Sequence, residues 1–319
     1  MSLPKSIRLA DYAPPPFLIS DVDLDISLDD DHAAVRARLS IKRNPMWPPP
    51  TRRSGSTART WRCSGSASAR ALTPGEFVLD GNALIVEPVP DAFILETESR
   101  IEPQNNTRLM GLYASKTGYF TQCEAEGFHT YLLPRSSRRD VALHDDDPCR
   151  KAALPGAAVR QPCRRRRRRR RPALGSVARP VSPKPCYLFA LVAARLDEIS
   201  DRFVTRSGKT ATLQIFVQPG KREQGTFAMA CLKKAMRWDE EVFGLELDLD
   251  QYTIVAVDDF NMGAMENKGL NIFNSKYVLA NPQVATDADY MGIDRVVAHE
   301  YFHNWTGNRV PAVTGFNCR

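Results

Sequence analysis

The 319-residue sequence contains no uninterrupted apolar run of about 18 residues, which argues against a membrane-spanning helix. Residues 1–17 contain no apolar stretch of the kind that drives secretion, so no export signal is read there and a cytoplasmic location is expected. The seven cysteines include no CxxC pair. That suits a reducing compartment better than a disulfide framework or a cysteine-rich metal knuckle. No internal repeat is visible, which leaves out solenoids and propellers. What remains has 43% hydrophobic and 25% charged residues, ordinary for a globular chain, with length enough for about two domains.

The formal net charge of +7 at first suggests an anionic partner, and residues 164–171 are an unbroken run of eight arginines. Much of that charge sits in stretches that do not read as folded protein. Residues 45–71 have neither helical nor strand periodicity, yet they lie between two clear strand patterns, VDLDISLDDDHAAVRARLSI and GEFVLDGNALIVEPV. With synonymous codons and a two-nucleotide shift, the same segment permits DVAAANAPLRLDGEDLEVLRVGIG, an alternating pattern with a DG turn. Residues 141–183 regain a patterned sequence after a one-nucleotide shift, and so do residues 311–319 after a two-nucleotide shift. These windows carry +5, +9 and +1, so the rest of the chain carries −8 and is acidic. The expectation is therefore translation in a shifted frame, with no nucleic-acid partner.

Outside those windows, residues 18–42 and 77–135 alternate apolar and polar residues between Pro, Gly, Asn and Asp turns, which predicts an all-β, two-sheet N-terminal domain. The pattern changes near residue 193. The segment 226–243 has helical spacing, QYTIVAVDDF follows as a buried strand, and 286–304 is predicted as a second helix. Thr286 or Asp287 can cap that helix, and Gly307 can stop it. The expected division is thus 1–192 (β) and 193–319 (mixed α/β).

His299-Glu300-Tyr301-Phe302-His303 is an HExxH motif inside the second predicted helix. Residues four apart share a helix face, so His299 and His303 can reach one Zn2+ ion through imidazole nitrogens. Glu300 sits beside the ion and can take a proton from water that the metal has acidified. Chance supplies this motif only about 0.04 times in a chain of this length. Upstream, NMGAMEN follows a predicted strand. Gly263 permits close approach of an extended peptide, and Glu266 offers a carboxylate to a free α-ammonium.

The pair Gly263-Ala264-Met265-Glu266-Asn267 and His299-Glu300-x-x-His303 resembles the M1 family of zinc aminopeptidases. So do the runs PCYLFALV and TQCEAEGF. The resemblance implies that the second domain is the start of a thermolysin-like zincin catalytic domain. It implies His299 and His303 as zinc ligands and Glu300 as general base. Glu266 and Glu124 would hold the substrate amine, Gly263 and Ala264 would contact the peptide backbone, and Met262 would line the first side-chain pocket. Peptides with a free N-terminus would be the substrates, with broad specificity that includes alanine and basic residues, and no membrane or oligomer is required. The family's third ligand, a glutamate 19 residues after the second histidine, falls beyond residue 319, so this polypeptide alone is expected to be inactive. Two rivals remain: a non-catalytic module binding peptide N-termini through Glu266 and Glu124, and a nucleic-acid binder driven by the arginine run.

Overall fold

The computed structural model describes residues 16–29, 31–46, 89–124, 127–128 and 185–310, with backbone alone for four short strands at 78–80, 83–85, 142–145 and 158–160. The first sheet is built on β1 (Phe17–Leu28) and β2 (Ala33–Arg43), a long antiparallel pair. Their alternating burial follows the apolar alternation in the sequence, with Val22, Leu24 and Ile26 turned inward. The short strands β3 (Val78–Asp80) and β4 (Ala83–Ile85) form a separate antiparallel pair. β5 (Ala92–Ile101) extends the first sheet along β2.

A second sheet contains β6 (Gly111–Ser115) and β7 (Gly118–Gln122). Two strands fall within the window 141–183: β8 (Ala142–Asp145), parallel to β1, and β9 (Ala158–Arg160), paired with β10 (Leu191–Ala194). The window is therefore not irregular throughout, as its sequence suggests. The rest of 141–183, nearly all of 45–71, and 311–319 lie outside the described residues. The expected boundary at 192/193 cuts through β10, which pairs with β7 and belongs to the second sheet. The third sheet begins with β11 (Asp197–Val204) and β12 (Thr210–Val217).

From β12 the chain crosses through α1 (Thr226–Val242) to β13 (Gln251–Val257), which lies parallel to β12. The edge is made by β14 (Ala264–Met265) and β15 (Leu270–Asn274), giving the order β11-β12-β13-β15-β14. α2 (Asp287–Phe302) then packs beside α1. Thr286 is its N-cap: the Asp289 amide donates to the Thr286 hydroxyl at 3.3 Å, and the Thr286 amide donates to the Asp289 carboxylate at 2.8 Å.

These elements stack as sheet, sheet, sheet and helices, with three apolar interlayers. The first unites Val22, Leu24, Ile26, Leu39 and Leu95 with Leu112, Phe189 and Leu191. The second joins the other face of the middle sheet, through Tyr113, Phe120 and Val192, to Val255, Val257 and Ile272 of the third sheet. The third packs Leu213, Ile215, Ile254 and Phe273 against Leu232 and Met236 of α1 and Ile293 and Val297 of α2. A strand covered on both faces needs apolar residues at consecutive positions, and β10 (LVAA) and most of β13 (QYTIVAV) are buried in this way. Among the described residues, no helix is long and apolar enough to cross a membrane.

Candidate metal centre

The buried stripe of α2 runs Ile293, Val297, Glu300 and Tyr301, at the three-to-four-residue spacing of a helix resting on a sheet. That stripe sends Glu300 inward at 6% exposure and leaves His299 and His303 together on the adjoining face. The motif is not mid-helix, as the sequence pattern predicts. His303 is the C-cap, and the chain turns back after it. The Asn308 amide donates to the His303 carbonyl at 3.0 Å, and Gly307 lies at φ +124°, a conformation that suits glycine. This turn presents the Thr306 carbonyl to His303 Nδ1 at 2.6 Å. With Nδ1–H donating there, Nε2 keeps its lone pair.

The two Nε2 atoms stand 3.1 Å apart. Two nitrogens bound at about 2.0–2.1 Å to one tetrahedral ion would stand about 3.3 Å apart, so the pair fits a zinc ion with little adjustment. Burial and the neighbouring His303 hold the His299 imidazole below its ordinary pKa, against the pull of Glu266, which favours the neutral form that metals bind. Donor atoms of Glu266, Glu300 and His303 also lie within 4.8 Å of one another. His299 joins this group through its contact with His303.

Glu266 reaches the site from the loop between β14 and β15 and is 9% exposed. Its carbonyl accepts from Asn308 Nδ2 at 3.0 Å, which ties the loop to the turn behind His303. Burial, then the charges of Glu266 and Glu124, push the Glu300 carboxyl up to about 8. Glu300 Oε2 is buried without a hydrogen-bond partner among the described residues, as suits an atom meant for a water, a cation or a substrate. Glu124 follows β7, is half-buried, and lies close enough for its charge to be felt at Glu300. Met262 and Gly263 are exposed just before the edge strand β14, whose Ala264 is half-buried.

The first half of the chain holds this corner in place. Asn267 Nδ2 donates to the Phe189 carbonyl at 3.1 Å, and Tyr113 Oη donates to the Asp259 carbonyl at 2.8 Å. Sequence reasoning brought the two histidines and the three glutamates to this place. It missed the clamping residues Thr306, Asn308 and Tyr113, which act through one or two hydrogen bonds each and leave no periodic trace.

Comparison with known proteins matches residues 227–314 to the peptidase family M1 domain. Over 322 aligned positions the chain is 45% identical to aminopeptidase N of Caulobacter vibrioides, covering 96% of this chain and 35% of that protein. It is 43% identical to aminopeptidase N of Escherichia coli over 94% of this chain and 34% of that one. Among solved structures, aminopeptidase A of Legionella pneumophila, in complex with aspartic acid, superposes with a TM-score of 0.77 at 26% identity, covering 95% of this chain and 36% of the other. The chain spans about a third of the length of the curated relatives it matches.

Proposed function

Starting from a chain that carries a peptidase family M1 domain and corresponds to about a third of aminopeptidase N, we propose that it contributes the two-histidine part of a zinc aminopeptidase site. The observation that carries this reading is the meeting of His299 and His303 Nε2, 3.1 Å apart, beside the carboxylates of Glu266 and Glu300. His299 and His303 would hold the ion, which when bound supplies a Lewis acid and an acidified water. Positive charge there favours the ionised form of Glu300, which then receives the proton of the attacking water. Glu266 and Glu124 would hold the substrate's α-ammonium, which fixes the first peptide bond over the metal and leaves longer reach unrewarded. The outer edge of β14 would take the peptide as an added strand past Gly263 and Ala264, with Met262 against the first side chain.

The substrates would be peptides with a free N-terminus, with alanine and basic residues among those removed, in a cytoplasmic setting. Neither nucleic acid nor a membrane nor a second copy enters the reading. Two imidazoles fall short of the three protein ligands usual at catalytic zinc. A polypeptide of these 319 residues is therefore expected to show no turnover of an alanyl chromogenic substrate. Turnover abolished by a chelator would overturn the two-histidine account.

We further propose that 45–71, 141–183 and 311–319 arise from a shifted frame, a reading supported by the acidic balance of the remaining sequence and opposed within 141–183 by the strands β8 and β9. Mass spectrometry of proteolytic peptides from the natural protein is expected to recover shifted sequences such as RHWARWQDPFRP. Peptides spanning the arginines at 164–171 as written would refute it.

A further inference from the structure

Asp248 lies in the connection between α1 and β13, and its carboxylate gathers donors from both segments that carry residues of the proposed metal centre. Oδ1 accepts from Arg309 Nη2 at 2.7 Å and from Asn304 Nδ2 at 3.1 Å. Oδ2 faces Lys268 Nζ at 3.6 Å, and the Asp248 carbonyl accepts from Lys209 Nζ at 2.8 Å. Asn304 directly follows His303, and Arg309 lies in the turn whose Thr306 carbonyl orients His303. Lys268, 4% exposed, is two residues beyond Glu266. Arg309 is itself fixed from two sides, donating to the Glu246 carbonyl at 2.8 Å and lying 3.6 Å over the Trp305 ring. Charge-assisted bonds of this kind are the stronger ones, and a carboxylate can serve several donors at once.

We propose that Asp248 is a positioning residue of the metal centre, one anchor that sets the turn behind His303 against the loop that carries Glu266. This rests on the reading of the site as a metal centre, but the role it assigns to Asp248 is separate from it. Asp248→Asn keeps the shape and can still accept from Asn304. It removes the charge that holds Arg309 and Lys268, so the turn and the loop lose their common anchor. His303 then has to be ordered at the cost of metal affinity.

The test compares the 319-residue chain with Asp248→Asn in two measurements: Co2+ titration followed by visible absorption, and amide exchange in chelator. Outer partners of metal ligands are typically worth about 10–100-fold in affinity, and Asp248→Asn is expected to lose that much. Exchange across 304–310 should rise about tenfold while α1 keeps its protection. Wild-type Co2+ affinity in Asp248→Asn overturns the proposal, and so does a loss that merely follows a lowered midpoint of global unfolding. If the unsubstituted chain binds no Co2+, the metal reading fails and exchange alone decides: faster exchange confined to 304–310 upholds the anchor, unchanged exchange overturns it. Should Asp248→Asn not fold, Arg309→Gln cuts the same tie from the turn side and is judged by the same two measurements.

Discussion

His299→Ala is expected to weaken zinc binding by the 319-residue chain more than about 100-fold, since the loss of outer partners alone costs about 10–100-fold. His299 is the cleaner of the two histidines to remove. His303 also closes the turn through Thr306, whereas among the described residues the His299 ring makes its hydrogen-bonding contact with His303. His299 lies on the exposed side of the last turn of α2, so alanine there leaves the buried stripe of Ile293, Val297, Glu300 and Tyr301 intact. Alanine is also the better helix former, so the metal-free chain should be at least as stable. Competition against a chromophoric chelator reads the affinity directly. His32→Ala, in the turn between β1 and β2 where His32 meets Asp29 and Asp31, serves as the control and should change nothing. Equal affinity in the His299→Ala and unsubstituted chains would remove the metal centre from this helix.

Asp239→Asn is expected to stabilise the metal-free chain at neutral pH by on the order of 2 kcal/mol. Asp239 is on the buried side of α1 at 2% exposure, and its Oδ2 has no hydrogen-bond partner among the described residues. Burial pushes its carboxyl up to about 6 from an ordinary value of 3.8. An acid whose folded pKa is raised favours the folded state fully below the unfolded value, and that advantage is lost as pH rises through the folded one. Between pH 4 and 6 the unsubstituted chain should therefore lose up to about 3 kcal/mol from this group, since each tenfold change in a proton-binding constant is worth about 1.4 kcal/mol. Asparagine carries no charge to desolvate, though its amide still needs partners, which reduces the gain. Urea unfolding in chelator at pH 4 and pH 7 should show the two chains alike at the lower pH and separated at the higher. Parallel stability curves would mean that the carboxylate is solvated or paired.

The local elements were legible because each has a short-range cause. The helix expected at 226–243 is α1, Thr226–Val242, and Thr286 caps α2 as its hydroxyl and the Asp289 carboxylate allow. The layering was not. Alternation in β1 and β2 says that one face is covered but not by what, and the apolar run 186–194 divides into a 3-10 turn at Cys186–Leu188 and the strand β10 at a point its composition does not mark. The boundary expected near 193 falls inside β10, which has apolar neighbours on both sides, and nothing in its residues assigns it to one half. At the site, HExxH announced itself, and the helix ended earlier than the pattern suggested because Gly307 and Asn308 fold the chain back onto His303. Glu124 was found through resemblance alone, since a carboxylate on a loop follows no period. Asp248 sits in LELDLDQ, where alternation makes it look like one more solvent-facing acid.

The middle sheet is shared property. Its one face completes the interlayer with the first sheet, and its other face, with Tyr113, Phe120 and Val192, lies on Val255, Val257 and Ile272 beneath the edge that carries Glu266. A piece cut to contain only residues 197–310 would keep both histidines, Glu300 and Glu266, yet present a bare sheet of aliphatic side chains to water. Contiguous apolar patches of this kind promote aggregation. The corner that holds His299, His303, Glu300 and Glu266 therefore cannot be excised as a minimal soluble module, and peptides or libraries intended to reproduce it must bring the preceding β layer with them.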